Sequence, residues 1–548
     1  MAPTIETDVL VLGAGPTGLT AANLLADFGV NVVLVERHPG SGDEPRAISA
    51  TDETLRVMQE IGVMDRLAPE MLLDTGARYF GRKGQLLADV RPGAPRLGQP
   101  GKSQFDQPVM EALLLEAAQR RPGIELFFNA EAIALNDAGD GVRVDVRQCG
   151  GRSRGISGVG AGDRGESAGP DAAAESEEFT VHAKWLVACD GGRSFARTAL
   201  GVDMGGSTQT QKWIVVDLLN AGEPEKFAEF HCNGSRPAVV VPGVKGRRRY
   251  EFMLLPGEDE AAMVTPESIA RLVAPYQALR AIDVRRAAVY VAHQRVAERY
   301  RVGRVLLAGD AAHMMPPFAG QGLNAGIRDA ANLAWKVAAH VKGHAGEALV
   351  STYHDERRPH AAEMVRLSHR IGKVVMNTNP VLCALRDGVL RLSGIVPRAK
   401  SWLIGMKFLK QPHFTDGCVL PPTDAPKAAR SFAGRSVPQP LVRRSSGEAA
   451  PLDEVMGRGW SLLRFGRDGE FEVLSGVASA GSASAANSEI VRDLDGAFAD
   501  IAGEQVSLLV RPDRYVAFVV PADREDEALR AVARYVPGVA PARANVSA

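Results

Sequence analysis

The chain is poor in cysteine, with five in 548 residues, at positions 149, 189, 232, 383 and 418. No two stand at C-x-x-C or a similar short spacing. That excludes a zinc knuckle and a paired-cysteine redox centre, and no metal site is expected. Neither sign of charge prevails. Sixty-four Lys and Arg against 65 Asp and Glu leave a net charge of -1, so nothing favours nucleic acid or an anionic membrane as a partner. The basic run Lys245-Gly-Arg247-Arg248-Arg249 reads as a solvated turn. No apolar run reaches the length that crosses a bilayer. Met1 is followed by Thr4, Glu6 and Asp8 rather than by the basic start of a signal peptide, and the cytoplasm is the expected compartment. What remains is 45% hydrophobic and 24% charged, the composition of an ordinary globular enzyme of two to four structural units.

The strongest signal lies near the start, in TDVLVLGAGPTGLTAANLLADFGVNVVLVE, residues 7 to 36. Val9 to Leu12 is short and wholly apolar, as a buried parallel strand requires. Gly13, Gly15 and Gly18 follow at G-x-G-x-x-G spacing. The first glycine permits the tight turn, the second lets backbone approach a diphosphate, and the third lets helix pack on strand. A helix from Leu19 would aim its N-terminal amides at the phosphates. Val32 to Val35 reads as a second strand, and Glu36 places an acid about 20 residues past the turn, where ribose hydroxyls need an acceptor. Gly160-Ala-Gly162-Asp-Arg-Gly165 repeats the glycine spacing without a strand before it or a helix after it. It sits in the Gly-, Ser- and Ala-rich stretch Gly150 to Ala174, which reads as a mobile loop.

Further along, helices are expected over Asp52 to Leu67 and Asp106 to Arg120. Strands are expected over Gly141 to Arg147 and Phe179 to Val187. From Val202 to about Tyr300 short runs alternate apolar and polar residues, the pattern of an antiparallel sheet with one packed face. Val305 to Ala308 returns to the nucleotide fold and ends in Gly309-Asp310. Long helices are expected over Asn324 to Val341 and Tyr353 to Val375. Pro412 to Pro451 reads as a surface linker. The rest reads as a βαβ-like tail with strands Val506 to Val510 and Tyr515 to Val520 and a helix from Glu525, interrupted by a mobile loop from Ser475 to Ser488.

Three motifs therefore stand in order: GAGPTG with Glu36, CDGGRSFAR from Cys189, and GDAAHMMPPFAGQGLN from Gly309. With WLVACDGG, QKWIVVD, RRYEFMLLPGE, IRDAANLAWK and RPDRYVA, they resemble the single-component FAD-dependent aromatic hydroxylases of the p-hydroxybenzoate hydroxylase fold family. The nearest subgroup is that of the 3-(3-hydroxyphenyl)propanoate hydroxylases. The resemblance covers about residues 7 to 400, and the tail more weakly. It implies an α/β fold in which a Rossmann-like FAD-binding domain (1–75, 104–190 and 301–400) is interleaved with an antiparallel-sheet substrate domain (76–103 and 191–300). A linker (412–451) and a thioredoxin-like C-terminal domain (452–548) follow. Without C-x-x-C that last domain is expected to serve packing or a homodimer contact, not thiol chemistry.

The resemblance implies bound FAD, NADH or NADPH as transient co-substrate, and insertion of one oxygen atom of O2 into a small phenol through a flavin C4a-hydroperoxide. The FAD contacts carried over are Gly13, Gly15, Pro16, Thr17, Gly18, Glu36, Arg37, Arg46, Gln107, Asp190, Gly191, Gly309, Asp310, Pro317, Gly320, Gln321, Gly322, Leu323 and Asn324. Asp310 is assigned to the ribityl hydroxyls and Asp190 to the diphosphate side. The amides after Gly320 are assigned to the flavin pyrimidine edge, where negative charge appears on reduction. The phenol needs a proton acceptor or polar network. His293, Tyr250, Arg249 and His231 are the candidates in the sheet region, and an Arg is expected to pair with a substrate carboxylate. The substrate implied is 3-(3-hydroxyphenyl)propanoate or its cinnamate analogue, hydroxylated ortho to the phenol. A hydroxylase tailoring a polycyclic aromatic product and a non-enzymatic FAD-binding sensor are the alternatives. A flavin disulfide reductase would need paired cysteines. A flavin halogenase would carry W-x-W-x-I-P, which the five tryptophans do not form.

Overall fold

The computed structural model describes residues 3–40, 42, 46–91, 93–149, 176–223, 225–278, 280, 283–393, 395–398, 401, 411–422, 424–466, 469–477 and 487–539. Gly150 to Ala174 and the centre of the second expected loop lie outside these residues.

The first sheet is built around Thr4–Leu12. Parallel neighbours lie on both sides of it: Val32–Val35 and then Ile124–Phe127 on one, Ser176–Ala188 and then Val305–Leu307 on the other. The chain leaves this strand in one direction through the helix Pro16–Asp27 and returns much later on the other flank. Its C-terminal end is therefore a topological switch point, where open α/β sheets bind ligands. Val9, Leu10 and Val11 are fully buried, as a strand covered on both faces must be. Helices Gly322–Val341 and Glu347–Val375 close one side. The expected helix over Asp52 to Leu67 is two pieces, Asp52–Ile61 and Met64–Leu67. Gly62, with φ of 84°, turns left-handed and ends the first.

The second sheet is formed by Leu86–Val90, Gly76–Phe80, Phe227–His231, Ala238–Pro242, Arg248–Met253, Met204–Leu218, Val284–Ala297 and His313–Met314, in that spatial order. One junction, Phe227–His231 with Gly76–Phe80, is parallel; the other pairings are antiparallel. A small sheet of Ser49–Thr51, Lys102–Phe105 and Met71–Leu72 bridges the two.

The C-terminal sheet corrects three expectations. Its pairings among the described strands are all antiparallel, so the βαβ crossover of a thioredoxin-like unit is not there. Short connections such as the one from Phe465 to Glu470 allow hairpins, whereas a parallel pair needs a crossover of a dozen residues. Only the end, Val506–Val510, Val516–Pro521 and the helix Glu525–Ala533, keeps the expected ββα order. The expected linker also ends early, because Leu441–Arg444 and Ala449–Pro451 are strands of this sheet. Asn487 and Ser488 likewise belong to a strand, not to a loop.

This unit is fixed to the rest by apolar and ionic contacts. Trp335 meets Trp460 edge-on at 5.4 Å. Arg511 grips Glu356 through two bonds of 2.8 and 2.9 Å, and Lys336 donates to the same carboxylate at 2.7 Å, all fully buried. Buried charges persist only when matched in this way. Among the described residues no helix is long and apolar enough to cross a membrane.

Candidate functional site

Three loops converge at the C-terminal ends of the first sheet's strands. In the glycine turn, Gly13 has φ of 98°, and a Cβ there would lie 2.5 Å from the Cys189 carbonyl oxygen. A Cβ on Gly18 would lie 1.9 Å from the Gly13 carbonyl oxygen. Both are glycines because protein presses on them. Gly15 differs: nothing lies within 4 Å of the Cβ position. The room it leaves faces the start of the helix Pro16–Asp27, whose first turn has no side-chain cap. Open amides and open space together make an anion seat. Glu36 accepts the Ala14 amide at 2.8 Å and the His38 amide at 2.9 Å, so it braces the turn from below. Arg37 beside it is exposed and bonds His38.

The second loop follows Ser176–Ala188. Asp190 accepts the Ala196 amide at 3.0 Å through one oxygen, while its other oxygen is buried without a partner. The third follows Val305–Leu307. A Cβ on Gly309 would lie 2.7 Å from Thr17 Oγ1, so the two loops touch. The Gly309 amide donates to Asp329 at 3.1 Å. Asp329 also binds His313 at 2.7 Å and Arg357 at 2.8 Å. That buried cluster holds the turn and leaves the Asp310 side chain open to the cleft. Burial by the surrounding protein raises the Asp310 pKa, against the pull of His313, Arg46 and His293.

The cleft has a volume of about 360 Å³, within the range of small-molecule sites. One side is Gly15, Pro16, Thr17, Gly191, Asp310, Pro317 and Gly320 to Leu323. The other is the second sheet's inner face, with Ala228, Phe230, Val239, Val241, Arg249 and Glu251. Arg46, Lys102, Gln104 and Gln107 line it between the two.

Strand alternation sorts the expected phenol-side residues. Arg249 pairs across strands with Asp217 and Val241, and faces the cleft. Its guanidinium binds Asp217 at 2.6 and 3.0 Å and donates to the Arg46 carbonyl at 2.8 Å. Tyr250 is one residue on and so points to the opposite face. There it is fully buried among Ile214, Val216 and Ile269 and donates to Gln277 at 3.0 Å. His231 lies on that far face too, bonded to Glu229 at 2.9 Å and edge-on to Tyr276. Both are removed from the phenol site. His293 does not line the cleft and pairs with Thr208 at 3.0 Å, although its charge reaches Asp310.

Two expected FAD contacts have other work to do. Asn324 is fully buried. Its oxygen accepts from the Thr51 amide and the Thr54 hydroxyl at 2.9 and 2.6 Å, and its nitrogen donates to the Ser49 and Gly320 carbonyls. Its side chain clamps the loop rather than reaching into the cleft. Gln107 lines the cleft, yet its oxygen accepts the Ala47 amide and its nitrogen donates to Glu111, both at 2.6 Å.

Three cleft-side groups escaped the sequence reading. Glu251 could have been found, since it stands two residues from Arg249 and shares its face. Burial raises its pKa, with Arg249 opposing. Tyr290, aligned with Trp213 across the sheet, has a buried hydroxyl without a partner, and burial pushes its pKa well up. Lys102 heads the bridging strand, and nothing in its sequence surroundings marks it. Among the described residues no group of three or more His, Cys, Asp or Glu could hold a metal ion.

The residues present fit FAD. The space over Gly15 admits a diphosphate, Asp190 offers an unpaired oxygen, and Asp310 offers a carboxylate to sugar hydroxyls. A model of the FAD binding domain matches residues 6–368, and one of the HcaD C-terminal domain matches residues 434–535. The chain is 36% identical over 537 residues to a 3-(3-hydroxy-phenyl)propionate/3-hydroxycinnamic acid hydroxylase of Burkholderia vietnamiensis, covering 93% of both. It is 38% identical over 459 residues to the Klebsiella pneumoniae protein of that name, covering 84% of this chain and 78% of that one. Among solved structures, aklavinone-11 hydroxylase with FAD and aklavinone aligns with a TM-score of 0.72 at 27% identity, over 96% of this chain and 98% of that one. The anhydrotetracycline hydroxylase OxyS from Streptomyces rimosus aligns with a TM-score of 0.72 at 25% identity, over 98% of this chain and 100% of that one.

Proposed function

The chain belongs to the FAD-binding-domain family of flavin-dependent aromatic monooxygenases, and on that premise we propose that it hydroxylates a monocyclic phenol bearing a short acid side chain, ortho to the existing hydroxyl. The substrate we assign is 3-(3-hydroxyphenyl)propanoate or 3-hydroxycinnamate, and the product is the catechol. One observation carries this reading. The open seat at Gly15, the Asp310 carboxylate and the wall bearing Arg249 and Glu251 line a single cleft. A cofactor held by the first two therefore lies beside whatever the wall holds.

FAD, reduced by NADH or NADPH, supplies the activated oxygen. The chain does the rest. Amides of the glycine-turn helix hold the diphosphate, and Glu36 keeps that turn in shape. Asp310 takes hydroxyls along the cofactor, and Asp190 stands on its diphosphate side. Phe230, Val239 and Val241 give an apolar bed that excludes water from an aromatic ring. Glu251 stands on the same wall. Burial makes its carboxylate a stronger base, which suits it to take the phenol proton as the ring is attacked. Arg249 is held by Asp217 and shapes the wall beside it. Residues 1–75, 104–190 and 301–400 are read as the cofactor domain and 76–103 with 191–300 as the substrate domain. A cytoplasmic location and a homodimer belong to the same reading.

A polycyclic aromatic substrate is the second reading, favoured by the full-length alignment with the aklavinone and anhydrotetracycline hydroxylases. The simple-phenol reading is preferred because identity is higher, at 36 and 38%, to the phenylpropanoid acid hydroxylases. NADH and NADPH oxidation should be measured with a panel of simple and polycyclic phenols, with oxygen uptake and product mass. A product one oxygen heavier from 3-(3-hydroxyphenyl)propanoate supports the proposal. Oxidation of NAD(P)H that yields only hydrogen peroxide overturns the substrate while leaving the enzyme class intact.

A further inference from the structure

We propose that the Lys102 ammonium forms an anion subsite that anchors the carboxylate of the aromatic substrate. This rests on the cleft being the phenol site, as argued above. The proposed substrate carries a carboxylate, and burying that charge requires a cationic partner. Three cations line the cleft: Arg46, Lys102 and Arg249. Arg249, the arginine on the sheet wall, is already bonded on both sides to Asp217 and also donates to the Arg46 carbonyl. Arg46 lies where its charge acts on Asp310, at the nucleotide end.

Lys102 is different. It heads the strand Lys102–Phe105, in register with Thr51, and its carbonyl accepts the Thr75 amide at 2.9 Å. The backbone is thereby fixed where the small bridging sheet meets the second sheet. Its side chain lines the cleft, and among the described residues no carboxylate or carbonyl lies within bonding reach of its ammonium. Burial, uncompensated by the Glu251 or Asp310 carboxylates in the same cleft, pulls its pKa down to about 8. A half-buried ammonium without a counter-ion is costly, and an incoming carboxylate supplies one. The point charge of a lysine thus takes the place of the bidentate arginine that the sequence suggested.

The test uses the FAD-loaded protein and two ligands of like shape, 3-(3-hydroxyphenyl)propanoate and uncharged 3-propylphenol. Their dissociation constants are read from the flavin absorbance change, for wild type, Lys102→Met and Lys102→Arg. Lys102→Met should weaken the acid about tenfold or more, the scale of losing a charged hydrogen bond, and leave the phenol within about twofold. Lys102→Arg should restore most of the acid's affinity. In wild type, acid binding should weaken above about pH 8, as the free ammonium loses its proton, and Lys102→Met should lack that dependence. Equal losses for both ligands, or no loss for the acid, overturn the inference. Selective loss of the acid in a protein that forms no catechol upholds the anchor and overturns the assigned reaction.

Discussion

Gly18 lies directly against Gly13, so that a Cβ on the first would fall 1.9 Å from the carbonyl oxygen of the second. Gly15, between them in sequence, has no neighbour within 4 Å of its Cβ position. The two glycines thus answer to different partners, one to the protein and one to the cofactor. Gly18→Ala should lower the melting temperature of the FAD-free protein and abolish FAD loading. Gly15→Ala should leave the FAD-free melting temperature within a degree or two of wild type and weaken FAD binding alone. Calorimetry of both FAD-free variants, with FAD titration, checks the pair. A destabilised Gly15→Ala would show that the open space is not the reason for that glycine.

Glu36 holds the Ala14 and His38 amides. Glu36→Ala should weaken FAD binding by about 1.5–3 kcal/mol, the worth of hydrogen bonds to a charged group. Asp310→Ala should do at least as much. The FAD dissociation constant, followed by the return of free-flavin fluorescence on dilution, decides it, and unchanged affinity in both variants would refute the placement.

Tyr250 and Glu251 are neighbours in sequence on opposite faces of one strand. Tyr250→Phe should keep turnover within about twofold and cost only the bond to Gln277, about 0.5–1.5 kcal/mol of stability. Glu251→Gln should retain FAD and NAD(P)H oxidation but divert much of the oxygen to hydrogen peroxide. In wild type, kcat/KM for the phenol should fall on acidification through the raised Glu251 pKa, since the base works only when ionised. An unaltered catechol yield in Glu251→Gln would remove it from the proton path.

Burial alone would raise the Glu356 carboxyl, yet Arg511 and Lys336 overrule it and hold the pKa at about 2. A folded-state value below the unfolded 4.5 gives stability that is present above about pH 4.5 and lost as pH falls toward 2. Arg511→Met should cost about 3–5 kcal/mol, because Glu356 is left buried with Lys336 as its one remaining ion-pair partner among the described residues and Asp513 loses its bonds to Arg511. Glu356→Gln should flatten the acid limb of the stability curve. Melting temperatures from pH 2 to 7 for the three proteins would show it, and parallel curves for Glu356→Gln and wild type would refute the linkage.

Local chemistry made the cofactor half legible. A glycine turn, its strand and its acid lie within 30 residues, and each glycine answers a steric demand that any copy of the motif meets. Strand periodicity likewise indicated a sheet from Val202 to about Tyr300, although the helices Glu260–Met263 and Pro266–Val273 interrupt it. It did not determine which parity faces the cleft, so Tyr250 and His231 were credited with a face they do not have. Asn324 and Gln107 sit inside legible motifs, but their hydrogen bonds run to Thr51, Thr54 and Ala47, residues far off in the chain. Sequence spacing carries no record of such partners. The tail looked like βαβ because apolar runs alternate with helix formers there. Short connections and the pairing with Leu441–Arg444 made it antiparallel. Lys102 is the extreme case. Its neighbours in sequence say nothing about it, and its character comes wholly from the burial and the lack of a counter-charge that folding imposes.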